Sequence, residues 1–256
     1  MPNLLRTLLA PVLLVQGKRM FQSMPRLTPP TGDSTGTRGD GPPLRLLVTG
    51  DSAAAGFGAE TQDEALLGRI VDRLAETNTV TWSLAARFGS TTPKTLAYLR
   101  KREAEPFDVA VISLGLNDVV AGTSLREWLA AYQDLAAVLR DRYGVAYIVA
   151  SGLPPVSEFP AAPQPLRWVL GRQARDYDEA LEAWADGEPD VSYVAISRSV
   201  ERALSDLGAT VEEVMSRDGF HPGPRVYDEW GRRVVEALRA ANAAPEVRPQ
   251  RPASSS

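Results

Sequence analysis

The sequence predicts an α/β fold, a parallel sheet covered by helices on both faces. Three observations carry this expectation. Short apolar runs rich in β-branched residues recur along the chain, and stretches with a helical apolar period separate them. The chain has 256 residues, of which 44% are hydrophobic, enough for one sizeable core. Strands that alternate with helices favour parallel pairing through right-handed crossovers. No internal repeat and no second domain is evident.

Residues 4–15 are mostly apolar, with Arg6 near their start and Pro11 inside. About 12 apolar residues are too few to span a bilayer, and Gln16-Gly17-Lys18-Arg19 follows without an Ala-x-Ala cleavage pattern. The segment reads as a helix that packs on the domain or lies at a membrane surface, so a peripheral membrane contact is an expected partner alongside a small-molecule substrate. A cytoplasmic location is expected; export or membrane association through residues 1–19 is the alternative. Residues 27–43 are rich in Pro, Gly, Thr and Ser and read as a linker, giving an N-terminal helix-plus-linker unit over 1–43.

The main domain is expected over 44–241. Its strands are predicted at 44–49, 79–85, 107–114, 145–150 and 191–196, and its helices at 63–77, 93–103, 124–143, 166–185 and 224–241. In the helix at 124–143, Leu125, Trp128, Leu129, Tyr132, Leu135, Val138 and Leu139 recur at spacings of three and four, which makes one apolar face. The Pro-rich stretch 152–165 follows a strand's C-terminal end, where open α/β sheets bind ligands, and is expected to wall the active site. Trp168, Val169 and Leu170 come just after it. They are candidates for an acyl pocket, although their spacing favours a core or interface role. Residues 242–256 read as a disordered tail of Ala, Pro, Arg and Ser.

Composition excludes several functions. Lys and Arg number 28 against 32 Asp and Glu, and with no long basic run a nucleic-acid partner is not expected. The absence of cysteine removes disulfides, thiolate metal sites and a cysteine nucleophile. A single histidine rules out a zinc site with several imidazoles, although carboxylates could still hold Mg²⁺ or Ca²⁺. No metal and no cofactor is expected in the chemistry.

The single histidine is the sharpest functional clue. His221 lies in Asp218-Gly219-Phe220-His221-Pro222, and any imidazole acid/base chemistry near neutral pH must use it. Taken alone, Asp-x-x-His is more often an ordinary surface or packed pair. Other strand ends add weight. Gly50-Asp51-Ser52 follows the first predicted strand and precedes the small residues 53–58, so Ser52 would stand at the sheet's C-terminal edge with room for a substrate. A turn with a capping serine explains that segment equally well by itself. The chain has no G-x-G-x-x-G after this strand, no phosphate-binding P-loop and no G-x-S-x-G elbow. Gly89 follows the second strand, and Gly115-Leu116-Asn117-Asp118 follows the third, where an Asx turn is the plain alternative. Together these residues converge on one edge, where an Asn amide can donate to a developing oxyanion.

In this order and at these intervals, Gly50-Asp51-Ser52, Gly89, Gly115-x-Asn117-Asp118 and Asp218-x-x-His221-Pro222 resemble the four blocks of the SGNH (GDSL) hydrolase family. The resemblance spans about residues 44–240. The second block departs, because the family often carries an asparagine shortly before its glycine and residues 83–87 have none. The resemblance implies a three-layer α/β/α flavodoxin-like domain with a five-stranded parallel sheet in the order 2-1-3-4-5. It also implies a serine esterase acting on small carboxylic esters through an acyl-enzyme. Ser52 would be the nucleophile, His221 the base and Asp218 its orienting acid. Ser52 N–H, Gly89 N–H and the Asn117 side chain would form the oxyanion hole. Asp51 and Asp118 would fix turns. An acyltransferase with the same residues and a non-catalytic binding domain of the same fold are the alternatives.

Overall fold

The computed structural model describes residues 3–242. The tail expected over 242–256 lies outside that span except for Asn242, which closes the last helix. The fold is an α/β sandwich around a six-stranded sheet in the order β1-β3-β2-β4-β5-β6. Its strands are β1 (Thr35–Arg38), β2 (Pro43–Gly50), β3 (Thr79–Ala86), β4 (Val109–Ser113), β5 (Tyr147–Ser151) and β6 (Val191–Val194). β2 to β6 are all parallel and match the five expected strands and their order.

The expected strand count is corrected from five to six. β1 lies within the stretch read as linker and pairs antiparallel with β3 at the sheet edge. Thr-Gly-Thr-Arg has no apolar alternation, and three of its four residues are exposed. Its order comes from backbone pairing with β3 and from Gly36, whose Cα packs so close to the Trp82 indole that a Cβ there would sit 2.3 Å from the ring.

The helices are α1 (Asn3–Ser23), α2 (Leu66–Ala75), α3 (Thr92–Lys101), α4 (Leu116–Ala121), α5 (Leu125–Tyr143), α6 (Leu166–Asp186), α7 (Ile196–Leu207), α8 (Val211–Val214) and α9 (Pro224–Asn242). α4, α7 and α8 were not predicted. The alternation of β2 and β4 feeds two cores. Leu47, Ala110 and Ile112 face Leu99 of α3, Trp128, Tyr132 and Leu135 of α5, and Leu181 of α6. Leu46, Val48 and Val111 face Ile70 and Val71 of α2, Val200 of α7, and Trp230 and Val234 of α9.

Local signals set the helix ends. α5 opens with a capping box, in which Ser124 Oγ accepts from Glu127 N–H while Ser124 N–H donates to Glu127 Oε2. It closes on Gly144 in the left-handed conformation. α1 runs through Pro11 and docks its C-terminal half on the domain: Met20 is buried in the core, and the Gln16 amide donates to Gln164 O and accepts from Leu166 N–H. Among the described residues no helix is long and apolar enough to cross a membrane.

Candidate active site

The C-terminal ends of the parallel strands bring the singled-out residues together. β2 ends at Gly50, whose φ of +152° and close approach to the next strand leave no space for a side chain, since a Cβ would lie 2.2 Å from Ser113 O. This sharp exit turns Asp51 and Ser52 across the top of the sheet. On the far side, the segment between α8 and α9 folds back on itself. Met215 bridges to Pro222, Ser216 N–H donates to His221 O, and Gly219 N–H donates to Ser216 O with Gly219 at φ +63°. The Asp218/His221 spacing is thus met in a turn, as Pro222 and Gly219 suggest, and not on a helix face.

Ser52, His221 and Asp218 form one continuous hydrogen-bonded line. His221 Nε2 lies 2.8 Å from Ser52 Oγ, and His221 Nδ1 lies 2.6 Å from Asp218 Oδ2. All three residues are buried. Burial alone would raise the Asp218 carboxyl, but hydrogen bonds from the His221 ring and from the His221 and Phe220 backbone N–H groups outweigh it and hold the acid well below the ordinary range. Ser216 Oγ adds a fourth donor at 2.7 Å. Ser216 was not singled out from the sequence; its only signal is a hydroxyl two residues before the acid.

Asp51 behaves differently. Burial pushes its carboxyl up to about 6, opposed by backbone hydrogen bonds from Ala53 and Ala54 and by the nearby His221. Its Oδ2 accepts from Asn117 Nδ2 at 3.2 Å, and the same amide donates to Ser90 O at 3.1 Å. The amide is therefore oriented before any substrate arrives. Asp118 is fully buried and accepts from the backbone and hydroxyl of Thr92, which ties the start of α4 to the start of α3. Burial raises its carboxyl, and the Thr92 hydrogen bonds oppose that rise.

Gly89 sits in the turn after β3. Neither its backbone N–H nor that of Ser52 has a hydrogen-bond acceptor among the described residues, so both are free to donate. Phe57, Phe88 and Phe220 surround the imidazole, with ring centroids 5.3 to 6.0 Å from that of His221.

Beside Ser52 a cavity of about 40 Å³ opens into the protein, walled by Leu114, Leu153, Phe159, Ile196, Met215 and Trp230. Leu153 and Phe159 belong to the Pro-rich stretch expected to wall the site. Asp178 Oδ1 fixes that wall by accepting from Leu153 N–H at 2.7 Å. Trp168, Val169 and Leu170 line no part of this cavity: Val169 and Leu170 are buried, and Trp168 is exposed. Among the described residues no group of three or more His, Cys, Asp or Glu side chains could hold a metal ion.

The sequence profile of the GDSL-like lipase/acylhydrolase family matches residues 48–229, and the chain belongs to that family of hydrolases. Several solved structures share the fold. A lipolytic G-D-S-L family protein from Veillonella parvula aligns with a TM-score of 0.59 at 13% identity, over 76% of this chain and 98% of its own. A carbohydrate acetylesterase family member from Sinorhizobium meliloti gives 0.57 at 16% identity, over 78% and 99%. An acetylxylan esterase from Geobacillus stearothermophilus, solved as a catalytic mutant, gives 0.54 at 16% identity, over 83% and 99%. No curated protein matches the chain.

Proposed function

We propose that the protein is a serine esterase that hydrolyses small carboxylic esters through an acyl-enzyme. The observation that carries this reading is the buried line from Ser52 Oγ through the His221 ring to Asp218, at the mouth of an apolar cavity. Ser52 Oγ attacks the ester carbonyl while His221 Nε2 takes its proton. Asp218 keeps the Nδ1 proton in place and stabilises the imidazolium. The tetrahedral oxyanion is held by the Ser52 and Gly89 backbone N–H groups and by Asn117 Nδ2, whose two contacts at 3.1 and 3.2 Å lie at the long end of the hydrogen-bond range and leave it able to share a hydrogen. Collapse expels the alcohol, protonated by His221, and water then releases the acid by the same steps in reverse.

The cavity favours a short acyl group. Its volume of about 40 Å³ suits a few heavy atoms, and away from Ser52, His221 and Asn117 its walls are mostly apolar. Acetyl esters fit this description, in keeping with the acetylesterases among the structural neighbours.

The test is hydrolysis of 4-nitrophenyl acetate by the wild type and by Ser52→Ala. The wild type turns over, and the variant loses at least about 10⁴-fold in kcat/KM. Activity that survives intact in the variant contradicts the serine assignment.

A further inference from the structure

We propose that the outer face of α1, together with Trp168 and Val120, docks this protein on an anionic lipid surface. α1 is apolar on more sides than the domain covers. Met20 and Leu13 pack inward, whereas Val12, Leu14 and Val15 are 45%, 74% and 50% exposed. They are three of the seven large hydrophobic side chains exposed among the described residues, and Val120 and Trp168 are two more. These five come from neighbouring elements. Leu14 and Val120 line the same groove between α1, α4 and α6, and Gln16 of α1 is bonded to Gln164 and Leu166 just before Trp168. Exposed apolar side chains gathered from neighbouring elements mark an interaction site, and an exposed tryptophan among them suits the headgroup level of a bilayer.

Charge selects the occupant. The first 32 residues carry four basic side chains, Arg6, Lys18, Arg19 and Arg26, and no acidic one, while the remainder of the chain is acidic overall. Lys18, Arg19 and Arg26 are exposed. A second copy of the chain, meeting this face by two-fold symmetry, would set the same basic helix against itself. An anionic bilayer supplies both the apolar layer and the opposite charge. No described helix can cross a membrane, so α1 lies in the interface and does not span it.

The surface is close to the chemistry. Leu116 and Asn117 at one end of α4 line the cavity beside Ser52, and residues 119–122 at the other end line the groove under α1. Six helical residues span only about 9 Å. Docking would bring esters held in the lipid surface beside the site.

The test is flotation of the full chain with vesicles of phosphatidylcholine containing phosphatidylglycerol, against vesicles of phosphatidylcholine alone. The protein floats with the mixed vesicles, floats poorly with the neutral ones, and is released by salt. The double variants Leu14→Asp/Val15→Asp and Lys18→Glu/Arg19→Glu each cut vesicle binding at least about tenfold. Hydrolysis of soluble 4-nitrophenyl acetate and the circular dichroism spectrum stay as in the wild type. The proposal is overturned if the wild type does not float, if neutral and anionic vesicles bind it equally, or if Leu14→Asp/Val15→Asp only converts a dimer to a monomer in sedimentation. Flotation is read without hydrolysis, so this inference and the esterase reading fail separately.

Discussion

Ser52 lies between two buried aspartates that the fold treats in opposite ways. Asp218 receives four hydrogen bonds, from Ser216 Oγ, the Phe220 and His221 backbone N–H groups and the His221 ring, and its carboxyl is held well below the ordinary range. Asp51 is as buried but has fewer donors, among them Ala53 N–H and Asn117 Nδ2, and burial drives it up to about 6. Burial raises both carboxyls; at Asp218 the hydrogen bonds, foremost that with the His221 ring, outweigh it, and at Asp51 they do not. On the proposed mechanism the difference is functional. Asp218 must remain an anion beside an imidazolium, whereas Asp51 only has to keep an amide in place.

Asp218→Asn is the strongest way to break this contrast. It leaves the shape but removes the acceptor for the Nδ1 proton, and kcat is expected to fall by about 10⁴ in steady-state ester hydrolysis. A fall of only a few fold would make the two aspartates equivalent. Asn117→Ala comes next, with kcat lower by about 10² to 10³ and KM little changed, because an oxyanion contact strengthens only in the transition state. A raised KM at unchanged kcat would instead make Asn117 a binding residue.

Asp51→Asn is expected to cost kcat only about tenfold, through a less well-held Asn117 amide. Its clearer signature is stability against pH. With a folded pKa of about 6 against an ordinary 3.8, Asp51 favours the fold while protonated, and that contribution is lost as pH rises through 6. The variant cannot ionise, so in urea unfolding it should gain up to about 3 kcal/mol on the wild type between pH 4 and pH 8. Parallel stability curves would show that burial does not penalise the Asp51 charge. Asp218 has the opposite sign: its contribution is present above its ordinary pKa and is lost as pH falls below it. The smallest change is Ser216→Ala. It removes one of four donors to Asp218, with about 1 kcal/mol lost in unfolding and a several-fold drop in kcat. A loss as large as that of Asp218→Asn would mean that Ser216 does far more than hold the acid.

Much of this was legible in the sequence, because the strands and the site blocks are local signals. Five apolar runs marked the parallel strands, and Ser52, Asn117, Asp218 and His221 stood at strand ends or in a turn with its own Gly and Pro. β1 was not legible, because its order rests on the edge of β3 and not on any apolar pattern of its own. α7 does carry a local signal, since Ile196, Val200 and Ala203 recur at helical spacing and are buried. The cavity walls were out of reach, because Leu114, Phe159, Ile196, Met215 and Trp230 come from separate elements that meet only in the folded chain. Trp168 could be placed as core, pocket or interface from its spacing, and only the structure shows it exposed.

Covalent labelling tests the central claim most directly. Folded protein is treated with a fluorophosphonate and digested, and the peptide carrying Ser52 is examined by mass spectrometry. The account predicts one stoichiometric adduct on Ser52 in the wild type and at least about 10³-fold slower labelling in His221→Ala, because the hydroxyl then lacks its base. Labelling of Ser52 at an unchanged rate in His221→Ala, or an adduct at another residue, would contradict it.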